Sequence, residues 1–198
     1  MGNALKKVAL RGEKVFLRSL NEEDLPILWK LIYGDKDPVW KKWDAPYYSL
    51  EPHTLESYRS HEHARVERLK RDEPDSRLVI IVQNKIIGTV TYYWEHKPSL
   101  WLEIGIGIYN PAFWCNGYGT EALGLWIEHL FNSLPIERVG LTTWSKNERM
   151  MHVGKKLGMK LEGRLRKCRF FEGTFYDSIR MGILREEWES RQNILSPP

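Results

Sequence analysis

Cysteine is scarce in this chain, and the little there is can neither staple nor ligate. Cys115 and Cys168 are the two present, and they form no C-x-x-C pair. That count and spacing exclude a disulfide framework and a zinc ribbon; both thiols are expected reduced, in a cytoplasm. No stretch is long and apolar enough to cross a bilayer as a helix, so no membrane partner is expected. The first fourteen residues carry lysines without the apolar core of a secretory leader. Lys6 stands where a Met-Gly myristoylation signal needs Ser or Thr. Among the six histidines, His61 and His63 lie two apart. That spacing on a helix points them to different faces, and no metal site is read. Repeats, low-complexity tracts and linkers are missing too, so residues 1–198 read as a single domain with one core. An excess of one charge sign is almost lacking as well: 30 Lys and Arg stand against 26 Asp and Glu, a net charge of +4. So mild a surplus fits a polyanionic ligand such as a nucleotide, a weak affinity for nucleic acid, or scattered surface bases.

What is present is a clear alternation of strand and helix signals. A short strand is expected at Val15–Arg18. A helix over Glu22–Tyr33 follows, with Asn21 as its cap. The segment from Asp37 to Tyr48 is aromatic and irregular. A largely polar helix fits Pro52 to about Arg71. Leu78–Val82 and Ile86–Trp94 read as a hairpin turning at Asn84-Lys85, because Asn tolerates the positive φ of a tight turn. Strands at Trp101–Ile108 and Arg138–Thr143 and helices from Gly117 to about Phe131 and over Asn147–Leu157 come next. Two strands, Lys160–Phe171 and Thr174–Leu184, close the series around Gly173. The pattern predicts an α+β domain with a mixed, mostly antiparallel central sheet of about seven strands and about four helices.

The passage from Trp101 to Ala122 is the most informative. Leu100, Leu102, Ile104, Ile106 and Ile108 alternate onto one strand face, leaving Trp101, Glu103, Gly105 and Gly107 on the other. Two glycines on one face imply close approach, either of a ligand or of another backbone. Gly117 and Gly119 then fall in the first turn of a helix, where each costs roughly 1 kcal/mol against Ala if helical. Bare amides at a helix N-terminus bind anions; a tight turn into the helix is the other explanation. Asn116 is a candidate cap. The string Gly117-Tyr118-Gly119-Thr120-Glu121-Ala122 also spells G-x-G-x-x-A, but Tyr109–Asn116 separate it from the strand. The following strand also ends in Trp144-Ser145-Lys146 without an acid, so a dinucleotide fold is rejected.

The stretch Glu103–Ala122 resembles the coenzyme-A-binding motif of the GNAT acetyltransferase superfamily, a strand, a loop of the form Q/R-x-x-G-x-G/A, and a helix. Trp114 in place of Gln or Arg is similar to the branch containing ribosomal-protein N-terminal acetyltransferases. Asn147–Met159 resembles the second cofactor motif. Leu161–Arg164 and Leu184–Trp188 look like that branch's closing strands, and Val15–Leu20 with Glu23-Asp24 like its opening. The resemblance implies an acetyl-CoA-dependent N-acetyltransferase acting on a primary amine, a protein N-terminus or a small amino compound, with a homodimer as one assembly. It implies that Ile106, Gly107 and Ile108 meet the pantetheine arm. Trp114, Cys115, Asn116, Gly117, Tyr118, Gly119 and Thr120 would cradle the pyrophosphate. Asn147 would lie near the thioester, and Lys155 and Lys156 near the adenosine phosphates. The chain departs from the motif at Gly154, where many members carry a Tyr that protonates the leaving thiolate, and at Met150, where the branch often has Ser.

An amine acceptor must lose a proton before it attacks. Glu103, on the bare strand face, is the expected base; a structural carboxylate is the alternative. Attack is expected to be direct, with backbone N–H groups near Ile108 facing the oxyanion and Cys115 a bystander. Trp40, Trp43 and Tyr47, with Tyr48, either wall the acceptor pocket or cover the sheet. Arg164, Arg166, Lys167 and Arg169 either attract an acidic acceptor or solvate an edge. Two other classes stand beside this one: a non-catalytic coenzyme-A-binding sensor, and a nucleic-acid-binding domain.

Overall fold

The computed structural model describes residues 7–67 and 74–195, with side chains to Arg191. Eight strands form one sheet: β1 (Ala9–Arg11), β2 (Phe16–Ser19), β3 (Arg77–Val82), β4 (Lys85–His96), β5 (Trp101–Ile108), β6 (Arg138–Trp144), β7 (Lys160–Phe171) and β8 (Thr174–Leu184). Their spatial order is β1-β2-β3-β4-β5-β6-β8-β7. Every neighbouring pair is antiparallel except β5 and β6. The described helices are α1 (Leu25–Tyr33), α2 (Leu55–Glu67), α3 (Tyr118–Ser133), α4 (Glu148–Lys156) and α5 (Arg185–Leu195). The expected mixed, mostly antiparallel α+β class is what the chain adopts, with one strand and one helix more than the pattern predicted.

The additions lie near the ends. β1 is three residues long and pairs with β2 alone, too short to show a period. Residues 185–188, expected as part of a closing strand, instead open α5. Trp188 is the reason: it is buried, and its Nε1 donates to Glu128 of α3 at 2.5 Å. Arg185 at the helix start donates to the carbonyls of Leu134 and Ile136. Two boundaries also move. The β3–β4 turn is made by Gln83 and Asn84, with φ of 49° and 60°. Both central residues of a two-residue turn then lie in the left-handed region, and Lys85 is already paired with Val82. α2 begins at Leu55 rather than at Pro52, and the predicted extension to Arg71 lies outside the described residues. Its polar sequence is compatible with burial because Glu62 accepts from Arg65 at 2.9 Å and is paired with Arg77 of β3.

Two cores lie on opposite faces of the sheet. Leu123, Trp126, Ile127 and Leu130 of α3 pack with Leu102, Ile104, Leu141 and Ile183, and α4 and α5 flank them. On the other face Leu25, Leu28, Ile32, Trp40 and Tyr58 pack on Val79. The feature that positions the site is the join between β5 and β6. It consists of two pairs, Leu102 with Val139 and Glu103 with Gly140. Beyond them the strands part, and the edge of β5 from Ile104 to Ile108 that faces β6 has no strand partner.

The chain's turn into α1 rests on one carboxylate. Asp24 is 4% exposed. It accepts from Arg18 at 2.5 and 2.8 Å and from the Asn21 N–H at 2.7 Å. Burial opposes its ionisation, but the Arg18 pair and the Asn21 N–H outweigh burial and hold its carboxyl below the usual range. Asp24→Ala is expected to lose about 2–3 kcal/mol at pH 7 in urea unfolding, because Arg18 is left without its partner. A lowered pKa means that this contribution is present above the ordinary carboxylate range and fades as pH falls through it. The gap between wild type and variant must therefore narrow in acid; a constant gap contradicts the assignment.

Candidate active-site cleft

Where β5 and β6 part, a cleft of about 380 Å³ opens. Ile106, Gly107 and Ile108 of β5 form its floor. The loop after β5 forms one wall with Phe113, Trp114 and Cys115, continued by Gly117, Tyr118, Gly119 and Thr120. Asn147, Arg149, Met150, His152, Val153 and Lys156 project from the region of α4. Trp40, Trp43 and Asp44 close the cleft from the α1–α2 connection.

Local chemistry explains the loop. Asn110 accepts from the Ala112 N–H at 3.0 Å and caps a 3-10 turn at Pro111–Phe113. The Trp114 ring then folds back, its Nε1 donating to the Ile108 carbonyl at 2.8 Å. Cys115 and Gly117 take left-handed φ values of 63° and 84°. Gly117, not Asn116, is the residue at which α3 is capped. The Asn116 side chain instead donates to the Trp114 carbonyl at 3.0 Å. The first α3 hydrogen bond runs from the Glu121 N–H to Gly117 at 3.1 Å. The amides of Tyr118, Gly119 and Thr120 therefore have no partner within the helix. The acid in that turn is drawn aside: Glu121 accepts from the Lys14 and Val15 N–H groups at 2.9 and 3.4 Å. The helix mouth is left positive and open.

Asn147 is engaged at both ends of its amide. Its oxygen caps α4 by accepting from the Met150 N–H at 3.1 Å, and its nitrogen donates to the Trp43 carbonyl at 2.9 Å. Trp144 donates to the same carbonyl at 3.1 Å. Arg149 lies between two rings, 4.4 Å from the centroid of Trp43 and 4.8 Å from that of Trp114, so one cation joins two walls.

Glu103 differs most from its expectation. Its side chain is 0% exposed and it is not part of the cleft lining. It accepts from Thr142 at 2.6 Å, from Arg180 at 3.2 Å and from Tyr93 at 3.2 Å. The strand face expected to be bare is thus occupied at this position by side chains from β4, β6 and β8. Burial and the neighbouring Glu103 carboxylate both push the Tyr93 phenol well above its ordinary range, so Tyr93 remains a donor. Tyr47 also sits outside the lining, with its ring against Trp144 and the Arg169 guanidinium 5.0 Å from its centroid. Arg164 is paired with Asp177 at 2.5 Å. At Gly154 a Cβ would meet Met181 Sδ at 3.0 Å, so the volume toward which a larger side chain would grow is filled.

The sequence reading missed Asp44, Phe113, Arg149, Met150, His152 and Val153 as lining residues. Arg149, Met150, Val153 and Lys156 follow helical spacing, so one face of α4 could have been drawn from the cap at Asn147. Asp44 lies in a segment with no period and gave no signal.

A profile of the acetyltransferase (GNAT) domain matches residues 14–160. The chain belongs to the GNAT acetyltransferase family. The spermidine N(1)-acetyltransferase of Escherichia coli K12 is 26% identical over 177 residues, spanning 89% of each chain. The prophage-derived N-acetyltransferase YokL of Bacillus subtilis is 25% identical over 179 residues, or 90% of this chain and 94% of that one. Among solved structures, the Vibrio cholerae spermidine N-acetyltransferase in complex with CoA and spermine superposes with a TM-score of 0.74. It is 18% identical, with 90% and 99% of the two chains covered. RimL, a ribosomal L7/L12 α-N-protein acetyltransferase in complex with coenzyme A, gives 0.71 at 17% identity, with 89% and 98% covered. These two structures share the fold. The protein is an N-acetyltransferase of GNAT type, an acetyl-CoA-dependent acyltransferase.

Asn147 separates two roles in one side chain. Asn147→Ala is expected to cost about 1–2 kcal/mol, since it removes the α4 cap and the Trp43 tether together. Asn147→Asp keeps an oxygen acceptor for the Met150 N–H and loses the donor to Trp43. It should unfold at a higher urea concentration than Asn147→Ala, while both release amide protons of residues 43–48 faster than wild type. Equal midpoints for the two variants contradict the capping role.

Proposed function

We propose that this GNAT enzyme moves an acetyl group directly to a primary amine, a protein N-terminal α-amine or a small amino compound, with no acyl-enzyme. The observation that carries the reading is the opening between β5 and β6, with three α3 amides at its mouth that have no partner among the described residues. A free strand edge offers backbone donors and acceptors in a row, as an amide-bearing pantetheine arm requires. Open helix amides and the dipole suit a pyrophosphate. Arg149 and Lys156 add positive charge on the same side. These residues fit acetyl-CoA, which would lie along Ile106, Gly107 and Ile108. Its phosphates would meet Trp114, Cys115, Asn116, Gly117, Tyr118, Gly119 and Thr120, with Lys156 beside them.

Gly119 supports the same reading. A Cβ there would touch only the tips of Ile108 and Ile106, at 3.6 and 3.8 Å, ordinary contacts. The protein's own packing does not demand glycine at this position, so the space serves something else. The acceptor reaches the cleft from the opposite side, past Trp40 and Trp43. N–H groups on the free edge near Ile108 supply oxyanion donors. The C–N bond forms as the C–S bond breaks; the nitrogen sheds its proton to water in the open cleft, and the departing thiolate, of pKa ~8.5 as a thiol, takes one from water without a strong acid, since the packing of Met181 at Gly154 leaves no room for a phenol from α4. Glu103 acts as a positioning group. Three donors from three strands meet on it at the vertex where β5 and β6 part, and so fix the angle of the opening. Asn147 positions the acceptor wall through Trp43.

The test is thermal unfolding with acetyl-CoA, against ATP and NAD, combined with an amine screen for turnover. At 100 times its Kd a ligand contributes ~2.7 kcal/mol, or a rise of roughly 5–10 °C for a domain of this size. Gly119→Ala is expected to unfold at the wild-type temperature or slightly above it without ligand, since helix propensity favours Ala by about 1 kcal/mol. It is also expected to lose most of the acetyl-CoA rise. A full rise in Gly119→Ala sinks the pyrophosphate cradle; a rise without turnover of any amine sinks the catalytic reading.

A further inference from the structure

Asp44 is the one acidic side chain among the described residues that line the cleft. The other charged groups of the lining, Arg149 and Lys156, are basic. Basic walls suit a phosphate-bearing donor. A carboxylate on the wall facing them serves no such ligand and calls for another reason.

The chain fixes the Asp44 backbone and leaves its carboxylate free. The preceding carbonyl, that of Trp43, accepts from both Trp144 and Asn147. The Asp44 N–H donates to the Lys41 carbonyl at 3.2 Å. Lys41 Nζ, the nearby cation, donates to the carbonyls of Asp44 and Ala45 at 2.8 and 3.2 Å. Ala45 then takes a left-handed φ of 42°, uncommon for a residue with a Cβ. Among the described residues the carboxylate itself has no hydrogen bond and no ion pair. What sets it apart from Asp37, an exposed aspartate whose carboxylate is likewise unpaired among the described residues, is its place in the cleft lining. Solvent reaches Asp44 through the open cleft, while the protein crowded around it thins the water near the carboxyl. Burial therefore pushes its pKa up, and Lys41 opposes that only in part. Asp44 is itself exposed to the cleft, so its carboxylate is open to an incoming cation.

We propose that Asp44 is the acceptor-side specificity residue, its carboxylate pairing with a positive charge on the acceptor other than the nitrogen that reacts. The inference rests on the acetyl-transfer reading above. The reacting nitrogen must be neutral to attack, whereas a lasting ion pair needs a charged partner, so the pair proposed for Asp44 is with a second charge. Trp40 and Trp43 line the cleft beside it and supply apolar wall for the alkyl chain of the acceptor. The substrate class is an alkylamine with two positive charges, and an amine carrying a carboxylate is turned away.

Three acceptors of matched length test this: 1,4-diaminobutane, n-butylamine and 4-aminobutanoate. Wild type should use them in that order by kcat/KM, with roughly 10-fold or more between the ends, as one charge-assisted hydrogen bond gives. Asp44→Asn should raise KM for the diamine by a similar factor and compress the order, and Asp44→Glu should restore it in part. The thermal rise with acetyl-CoA shows that each variant is folded on the donor side. An unchanged preference in Asp44→Asn overturns the proposal. Should no acceptor turn over, the catalytic reading fails by itself. Calorimetric binding of 1,4-diaminobutane then decides on Asp44: about tenfold weaker binding to Asp44→Asn supports it, equal binding to both forms overturns it.

Discussion

Two residue pairs hold β5 to β6, and the rest of the molecule depends on where that pairing stops. A buried strand edge must place its N–H and C=O groups somewhere. On one side β5 is fully paired with β4. On the other, the pairing ends at Glu103 and Gly140. Glu103 stands at that point and is tied to β4 through Tyr93, to β6 through Thr142 and to β8 through Arg180. The opening is thus anchored at its vertex by a carboxylate saturated with donors, and its arms are free to hold something that is not a strand. Helix α3 begins at the open end of the same strand, which brings its unpaired amides to the free edge.

The walls are coupled to one another. The carbonyl of Trp43 takes hydrogen bonds from β6 and from the α4 cap, so the irregular segment after α1 is fixed to the elements that carry the donor side. Arg149 joins the rings of Trp43 and Trp114 across the cleft. Glu121 is occupied by amides of the β1–β2 turn, and this keeps a negative charge away from the α3 mouth. Two features of the cleft suit charged ligands of opposite sign: the α3 amides an anion, and Asp44 a cation.

Much of this was legible in the residues. The alternation from Leu102 to Ile108 marks β5, whereas Leu100, expected on the same face, lies before the strand at a left-handed φ of 52° and is exposed. Gly117 and Gly119 mark the helix start, and the tight entry turn offered as the other explanation accounts for Gly117, whose φ is 84°. The parts that were not legible depend on partners far away in the chain. Glu103 is engaged by Arg180 and Thr142, residues whose distance from it in sequence gives no pattern. Tyr47 shares one aromatic stretch with Trp40 and Trp43, but Trp144 and Arg169 draw it away from the cleft. Asp44 is an acid in that stretch, and what distinguishes it is its place in the cleft lining, which only coordinates can reveal. At the C-terminal end Leu184–Trp188 reads as strand, and the burial of Trp188 against α3 decides for helix.

The account stands or falls on whether the open edge of β5 and the mouth of α3 form one binding surface. Amide hydrogen exchange with and without saturating acetyl-CoA measures that directly. Slower exchange is expected together at Ile106–Ile108 and Cys115–Thr120, with β1 and the β7–β8 hairpin unchanged. Exchange in both segments unaffected by acetyl-CoA that is demonstrably bound would contradict it, and would place the donor somewhere other than the parting of β5 and β6.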